Sequence, residues 1–285
     1  MSEGRWDDLL TESEDLCAEK RYKSANEKVL LVLNEMTVIY GENAPDLVNC
    51  YLHLAEIMLK QNQLNETEET LSLIKWILIK ESGNLDQELI LSHNARMEKL
   101  YCLMMIRHRS FERALNHASR GAYFCSLLLG PDHIETSQFY FQIGSILNNE
   151  TWQSAESSCL NPNSKGSGML NKVVDIWYQV LNDKMLNSSL LSFSQSKLQE
   201  GARMLELIAE FQLKQNGRTQ PPDGKILHTR GLISIELGLQ TEALKFIKCA
   251  HDVYSKALGT DNPVTKDAQK SLYWVEENLP NSKLN

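Results

Sequence analysis

The sequence predicts an all-α protein built from stacked antiparallel helix pairs. Two observations favour this fold: the seven prolines all fall between apolar-periodic segments, and four segments share one spacing between a small residue and a glycine. Because proline breaks a helix interior, prolines confined to the junctions indicate that the segments between them are helical. Apolar residues recur at helical spacing, and no stretch shows the strict alternation of a half-buried strand.

The four segments define the repeating unit. In each one a small residue lies 16 positions before a glycine, at 25–41, 67–83, 114–130 and 243–259. Each segment is a predicted helix closed by its glycine, which can adopt the left-handed conformation of a helix cap without a Cβ clash. The small residue marks the place where a partner helix approaches closely. The matching positions 12 residues earlier, on that partner helix, are Ala55, Cys102 and Gly231.

The last segment carries the most recognisable motif. Gly231, Gly238, Ala243 and Ala250 form the pattern Gly-x6-Gly-x4-Ala-x6-Ala, which resembles the tetratricopeptide (TPR) consensus. The 42-residue interval from 41 to 83 and the Leu-Gly turns at 129–130 and 258–259 resemble the long repeats of kinesin light chains. The resemblance implies a TPR-type α-solenoid, a right-handed superhelix of about five to six antiparallel helix pairs.

Composition and spacing also predict how the chain is divided. The expected parts are an N-terminal TPR array over 1–155, a flexible insertion over 156–168, a degenerate helix pair over 169–216, a linker over 217–224, a C-terminal TPR pair with a capping helix over 225–279, and a tail over 280–285. The insertion is rich in Ser, Asn and Gly, so we expect no helix there until Met169. A longer helix is expected over about 194–216.

Charge and hydropathy exclude several classes of function. The formal net charge of −8 argues against a general nucleic-acid binder, which needs a basic face. No run of about 18 apolar residues is present, so we expect no membrane insertion. The N-terminus is charged and lacks the apolar core of a signal peptide, and none of the six cysteines forms a Cys-x-x-Cys pair. We therefore expect a cytoplasmic protein.

Motifs that carry catalysis or bind a cofactor are absent from the sequence. It has no glycine-rich phosphate loop, no Gly-x-Ser-x-Gly elbow and no His-Glu-x-x-His pair. The seven histidines are scattered, whereas a zinc site needs three or four converging ligands. We expect no enzyme activity, no cofactor, no metal and no small-molecule substrate. The five tryptophans are expected in the core or at helix caps, rather than as stacking platforms.

The predicted function is protein binding in the concave groove that the first helix of each pair lines. Aligning each copy with the consensus gives the candidate groove residues, which mix polar groups with a few apolar anchors. They are Asn49, Leu52, His53, Glu56, Arg96, Lys99, Leu103, Gln138, Phe141, Gln142, Ser145, Lys225 and His228. The alternative for any of them is simple packing against a neighbouring helix. The convex face and the acidic stretch 1–19 remain open as other binding surfaces.

A further resemblance suggests a cellular setting. The stretches 51–56, 122–125, 136–141 and 172–177 make residues 43–182 similar to the TPR region of axonemal MYND zinc-finger proteins. The zinc finger of that family is absent here. The resemblance implies a scaffold in a cilium or flagellum axoneme, with an inner-arm dynein or another TPR protein as partner. The alternative is a cytosolic adaptor that takes cargo or chaperone peptides, although His53 and Gln142 stand where a chaperone-binding clamp would have asparagines.

Overall fold

The computed structural model describes residues 2–148, 162–187, 192–215 and 223–278. Within these ranges the chain forms twelve α-helices and one 3-10 turn, with no β-strand. The predicted all-α fold of antiparallel helix pairs is confirmed. The chain divides into two compact units, Met1–Ser167 and Gly168–Asn285, which we call unit 1 and unit 2. None of the helices in the described ranges is long and apolar enough to cross a membrane.

Unit 1 contains three complete helix pairs followed by the first helix of a fourth. Its helices are α1 (Ser2–Ala18), α2 (Tyr22–Tyr40), α3 (Val48–Lys60), α4 (Leu64–Lys80), α5 (Gln87–Arg107), α6 (Phe111–Leu129) and α7 (Ile134–Leu147). The 3-10 turn Pro45–Leu47 precedes α3. The acidic N-terminal stretch is the first helix of pair one, because Trp6, Leu10 and Leu16 are buried against α2 and α3.

Unit 2 contains two pairs and a closing helix. They are α8 (Pro162–Asn187, whose first residues belong to unit 1), α9 (Gln195–Gln215), α10 (Gly224–Glu236), α11 (Gln240–Leu258) and α12 (Pro263–Asn278). The pair α8 and α9 meets where Gly201 lies against the ring of the fully buried Trp177. The last pair, α10 and α11, packs with α12 around Leu227, Ala250 and Ala268.

The expected insertion over 156–168 needs a correction. Residues 156–161 lie outside the described part of the chain, but residues 162–168 belong to α8, so the helix starts seven residues before Met169. Proline suits this position, because the first turn of a helix needs no donor from its backbone nitrogen. The Asn, Ser and Gly residues that follow lower helix propensity without forbidding a helix. The predicted linker and tail lie almost entirely outside the described residues.

One turn joins the two helices of four different pairs. Lys20, Asn62, Arg109 and Gly238 all have a positive φ, between 57° and 73°. The next backbone N–H donates to the carbonyl five residues back in each case, from Arg21 to Leu16, Gln63 to Met58, Ser110 to Met105 and Leu239 to Ser234. This is the Schellman arrangement, which satisfies the last carbonyls of the first helix. Only Gly238 carried a sequence signal for it.

The predicted small residues occupy the same place in the same four pairs. Ala25, Thr67, Ala114 and Ala243 each come five residues after the turn residue and are fully buried. The positions 12 residues earlier, Ala55 and Cys102, are fully buried as well, and Gly231 lies against Ile247. The small side chains therefore mark the closest approach of the two helices of a pair, as the sequence predicted.

The glycine at the end of a second helix adopts a different conformation from the one expected. Gly41, Gly130 and Gly259 have φ between 84° and 96° with ψ between 157° and 164°. This region of backbone space is open to glycine almost alone, and it is extended rather than left-handed helical. Gly83 has no positive φ, so the predicted glycine cap is wrong for the second pair. There the chain leaves α4 through a longer turn before Asp86 caps α5.

A buried carboxylate fixes the packing of the third pair. The side chain of Glu98 is 1% exposed, and its two oxygens accept from His117 Nδ1 at 2.6 Å and Arg120 Nη2 at 2.8 Å, both on α6. The imidazole of His117 also stacks on Tyr101, with ring centroids 4.9 Å apart. A buried carboxylate is tolerated only when paired in this way, so the network specifies how α5 meets α6.

Candidate protein-binding groove

The first helices of unit 1 form a continuous polar surface, which we call the first-helix face. On α3 the residues that share this face are Asn49, His53, Glu56 and Lys60, spaced three or four apart so that they form one stripe. The stripe on α5 includes Arg96, Lys99 and Leu103, and that on α7 includes Gln138, Gln142 and Ser145. This is the face that the sequence predicts for the concave groove.

Side-chain hydrogen bonds cross this face from helix to helix. Arg96 Nη1 donates to Asn49 Oδ1 at 2.6 Å, which links α5 to α3. Lys99 Nζ donates to Gln138 Oε1, and Gln138 Nε2 donates in turn to Glu135 Oε2, which links α5 to α7. The structure therefore brings together candidate residues that are 39 to 47 positions apart in the sequence.

The charges on this face alternate in sign and influence one another. Burial raises the pKa of Glu14, on α1. Burial would also raise the pKa of Glu56, but Lys60, Lys99 and Arg96 outweigh it and hold that pKa below its usual value. Glu56 in turn outweighs the effect of burial on Lys60 and raises its pKa. At neutral pH the face therefore presents fixed charges of both signs.

His53 lies among these charges but carries none of its own at neutral pH. It is 7% exposed, and its Nδ1 lies 3.7 Å from Glu14 Oε1. Burial, helped by the positive charge of Arg96, lowers its pKa to about 4. A neutral imidazole next to a carboxylate can only offer one N–H donor and one acceptor.

Several candidate residues are more buried than a groove surface requires. Leu52 is fully buried and packs in the core of unit 1, so its placement on the groove was wrong. Phe141 is 8% exposed and Gln138 4%. Leu52 and Phe141 each precede a residue of the stripe, His53 and Gln142, whereas Gln138 belongs to the stripe and is held there by Lys99 and Glu135. Seven other candidates of unit 1 are half-buried, namely Asn49, Glu56, Arg96, Lys99, Leu103, Gln142 and Ser145.

The two candidates in unit 2 have different environments. Lys225 is half-buried, forms an ion pair with Asp175 and lies over the ring of Tyr178, 5.2 Å from its centroid. His228 is fully buried, so it is a core residue and its assignment to the groove was wrong. Its Nε2 lies 3.0 Å from Ser271 Oγ, and burial lowers its pKa to about 4.

Unit 2 contains a cavity that the sequence did not predict. It has a volume of about 390 Å³ and lies between α8, α10 and α12. Its lining consists of Leu181, Lys184, Met185, Leu232, Ile235, Glu236 and Trp274. Lys184 and Glu236 form an ion pair, and Trp274 is 42% exposed. Apolar side chains and this ion pair therefore share the lining of the cavity.

Nothing in the described part of the chain gathers residues as a metal site does, since no group of three or more His, Cys, Asp or Glu side chains converges there. The cysteines at 17, 50, 102 and 125 are buried, and Cys249 is exposed. Burial raises the pKa of Cys102 to about 12 and of Cys50 to about 11, so both remain thiols at neutral pH.

Solved structures that resemble this chain include two repeat proteins. No protein-family model matches the chain. It is similar to the kinesin-light-chain-like, nearly identical TPR-like repeats of Podospora anserina, at 12% identity over 75% of this chain and 98% of that chain, with a TM-score of 0.33. It is also similar to a tetratricopeptide repeat protein from Parabacteroides merdae, at 14% identity over 94% of this chain and 98% of that chain, with a TM-score of 0.30. The turns and spacings described above define the repeating helix pair independently of these likenesses.

Proposed function

We propose that the protein is a non-enzymatic scaffold and that the first-helix face of unit 1 binds a segment of another protein. The observation that supports this most is the chain of charged and amide groups from Glu14 to Gln138, which runs across four helices. Groups of this kind can exchange partners with an incoming peptide at little cost in desolvation.

The chemistry of the face defines the segment that it suits. Arg96 and Lys99 offer donors to carboxylates or backbone carbonyls, while Glu14 and Glu56 offer acceptors to basic or amide groups. Leu103 is half-buried on the same stripe and can pack against an apolar side chain. A mixed-charge segment with an apolar anchor therefore fits better than a uniformly acidic one.

For the cellular setting we propose a ciliary or flagellar axonemal assembly with an inner-arm dynein subunit or another TPR protein as partner. The similarity of residues 43–182 to axonemal MYND zinc-finger proteins supports this setting. The alternative is a cytosolic adaptor for cargo or chaperone peptides, bound in the same face.

Proximity labelling with the full-length chain in ciliated cells tests the proposal. We expect axonemal proteins among the labelled partners, and we expect the double variant Arg96→Glu, Lys99→Glu to lose them. The matched control is Lys266→Glu with Lys270→Glu, two exposed residues of α12. Labelling of cargo or chaperone proteins without axonemal ones would favour the adaptor. Partners unchanged by the groove variant would refute the first-helix face as the interface.

A further inference from the structure

The opposite side of unit 1 carries exposed apolar residues on successive second helices, and we call this surface the outer patch. Its members are Val38 and Ile39 on α2, Trp76 and Ile79 on α4, and Tyr123 and Leu127 on α6. Between 49% and 87% of each residue is exposed. Trp76 was expected in the core or at a helix cap, and this expectation was wrong.

The repeat itself shows that these residues are not required by the fold. Trp76 and Tyr123 each lie seven residues before the end position of their segment, at 83 and 130. The same position on α11 of unit 2 is Asp252, seven residues before Gly259. Likewise Leu127 lies three before Gly130, and Lys256 three before Gly259. Unit 1 thus has Trp76, Tyr123 and Leu127 at positions where unit 2 has Asp252 and Lys256, although α4 has Lys80 at the second of these positions.

The exposed charged residues in the C-terminal halves of α4 and α6, next to the outer patch, are all basic. The C-terminal halves of the two helices, 72–80 and 119–129, contain three charged residues, Lys75, Lys80 and Arg120. Lys80 Nζ lies over the ring of Trp76, 5.3 Å from its centroid. Glu35, the one acid in the corresponding half of α2, is engaged by Arg5 and by the Trp6 indole N–H, both at 2.9 Å. A basic rim on a chain of net charge −8 is selective for acidic partners.

We propose that the outer patch is a second interaction surface, which binds an amphipathic segment of another protein with large apolar side chains flanked by Asp or Glu. Aromatic residues in an apolar patch supply the contact energy, and the basic rim supplies orientation and rate. Exposed apolar patches that several residues build together mark interaction sites on soluble proteins.

Two other occupants fit the surface less well. A symmetric contact with a second copy would bring the basic residues of both copies into one interface, and like charges there are repulsive. Anionic membranes are bound by clusters of about four to eight basic residues. The outer patch has three basic residues, which is fewer than such membrane-binding clusters contain.

Selection from a displayed random-peptide library on the full chain tests the proposal. The library is first depleted on the double variant Trp76→Ala, Tyr123→Ala, so that the remaining peptides depend on the outer patch. We expect these peptides to share large apolar residues at helical spacing with flanking Asp or Glu. For a synthesised peptide, we expect binding at least tenfold weaker with the aromatic double variant, and about tenfold weaker with Lys75→Glu, Lys80→Glu.

The controls separate this surface from the first-helix face. Asp252→Ala, at the same position of unit 2, and the groove variant Arg96→Glu, Lys99→Glu should leave the affinity for the peptide unchanged. Failure of the groove experiment would therefore not affect this one. The proposal is overturned if no peptide depends on Trp76 and Tyr123, or if the selected peptides are basic. It is also overturned if the aromatic variant abolishes phosphatidylserine-vesicle binding or self-association while no peptide is selected.

Discussion

Glu98 in unit 1 and Leu227 in unit 2 stand 129 positions apart, the same interval that separates Gly130 from Gly259. Glu98 is buried in a network with His117 and Arg120, whereas Leu227 is buried in an apolar cluster with Phe246 beside it. Phe246 is the counterpart of His117. The same turns and helix spacing therefore hold either a charged or an apolar pair interior, which shows that the repeat constrains backbone geometry more strongly than side-chain chemistry.

A fall in pH should produce the largest difference in stability between the two units. Unit 1 has two buried histidines, His53 and His93, and unit 2 has His228; burial lowers the pKa of all three to about 4. Their pKa in the unfolded chain is about 6.5, so the unfolded state takes up protons first as the pH falls. The contribution of each neutral histidine to the free energy of unfolding is therefore fully present above about pH 6.5. It decreases as the pH falls towards 4, and the full loss is roughly 3 kcal/mol per histidine.

Hydrogen exchange of backbone amides between pH 7 and pH 4 measures this difference unit by unit. We expect unit 1 to lose more protection than unit 2, although the raised pKa of Glu14 works in the opposite direction. His53→Gln with His93→Gln should flatten the pH dependence of unit 1, and replacing the exposed His108 should not. Equal losses in the two units would contradict the comparison.

The buried carboxylate gives the next largest effect. Glu98→Ala removes the acceptor of His117 and Arg120 and should lower the free energy of unfolding by about 3 kcal/mol. Arg120 is half exposed, so its charge can return to water and the loss stays at the lower end of the range. Denaturant titration followed by circular dichroism measures the change.

A variant that copies unit 2 sharpens this test. Glu98→Leu with His117→Phe reproduces the Leu227 and Phe246 pair and should recover most of the stability lost in Glu98→Ala. If the double change is as unstable as Glu98→Ala, the two pair interiors are not interchangeable.

Tight glycine packing gives an intermediate effect. A Cβ at Gly121 would lie 2.1 Å from Cε1 of Phe139, so Gly121→Ala should cost about 2 kcal/mol. The counterparts in unit 2 are Ala250 and Ala268, which share one cluster. The double variant Gly121→Ala, Phe139→Ala should therefore lose less stability than the two single variants lose together. A double-mutant cycle measures this difference. The control Gly168→Ala, where nothing lies within 4 Å, should be neutral or slightly stabilising.

Substitutions in the turn between the two helices of a pair should have the smallest effect on stability. Arg109 has a φ of 57°, whereas Gly238 occupies the same turn in unit 2 with a φ of 73°. Arg109→Gly should relieve the strain and stabilise by about 0.5 kcal/mol, and Gly238→Ala should destabilise by about 1 kcal/mol. Thermal denaturation of the two variants measures the gain and the loss of stability. A loss of stability in Arg109→Gly would show that the positive φ at this residue is not strained.

The sequence was sufficient for the backbone of the repeat but not for its surfaces. Ala25, Thr67, Ala114 and Ala243 were predicted as contact points because a small residue repeated at a fixed interval indicates a close approach of two helices, and all four are buried. Three of the turns were missed because Lys20, Asn62 and Arg109 carry no glycine signal. A left-handed conformation at such residues follows from the contacts of the flanking helices, which are not local.

The candidate groove was predicted in part for a related reason. The sequence spacing places Asn49 and Leu52 about one turn apart on the same side of α3. The angle at which the next helix packs decides which of the two side chains is covered. His228 was misplaced because a histidine with a hydroxyl partner can be buried, and Ser271 lies 43 residues away. The burial of Glu98 had no sequence signal, because its partners lie on another helix.

The constant distance from each turn to the end of its segment has a consequence for how such chains change length. From Lys20 to Gly41, Asn62 to Gly83, Arg109 to Gly130 and Gly238 to Gly259 the interval is always 21 residues. The first helices vary instead, with 13 residues in α3 and α10 but 21 in α5. The repeats of this chain therefore differ in length at their first helices, and an engineer who lengthens a repeat should add residues there.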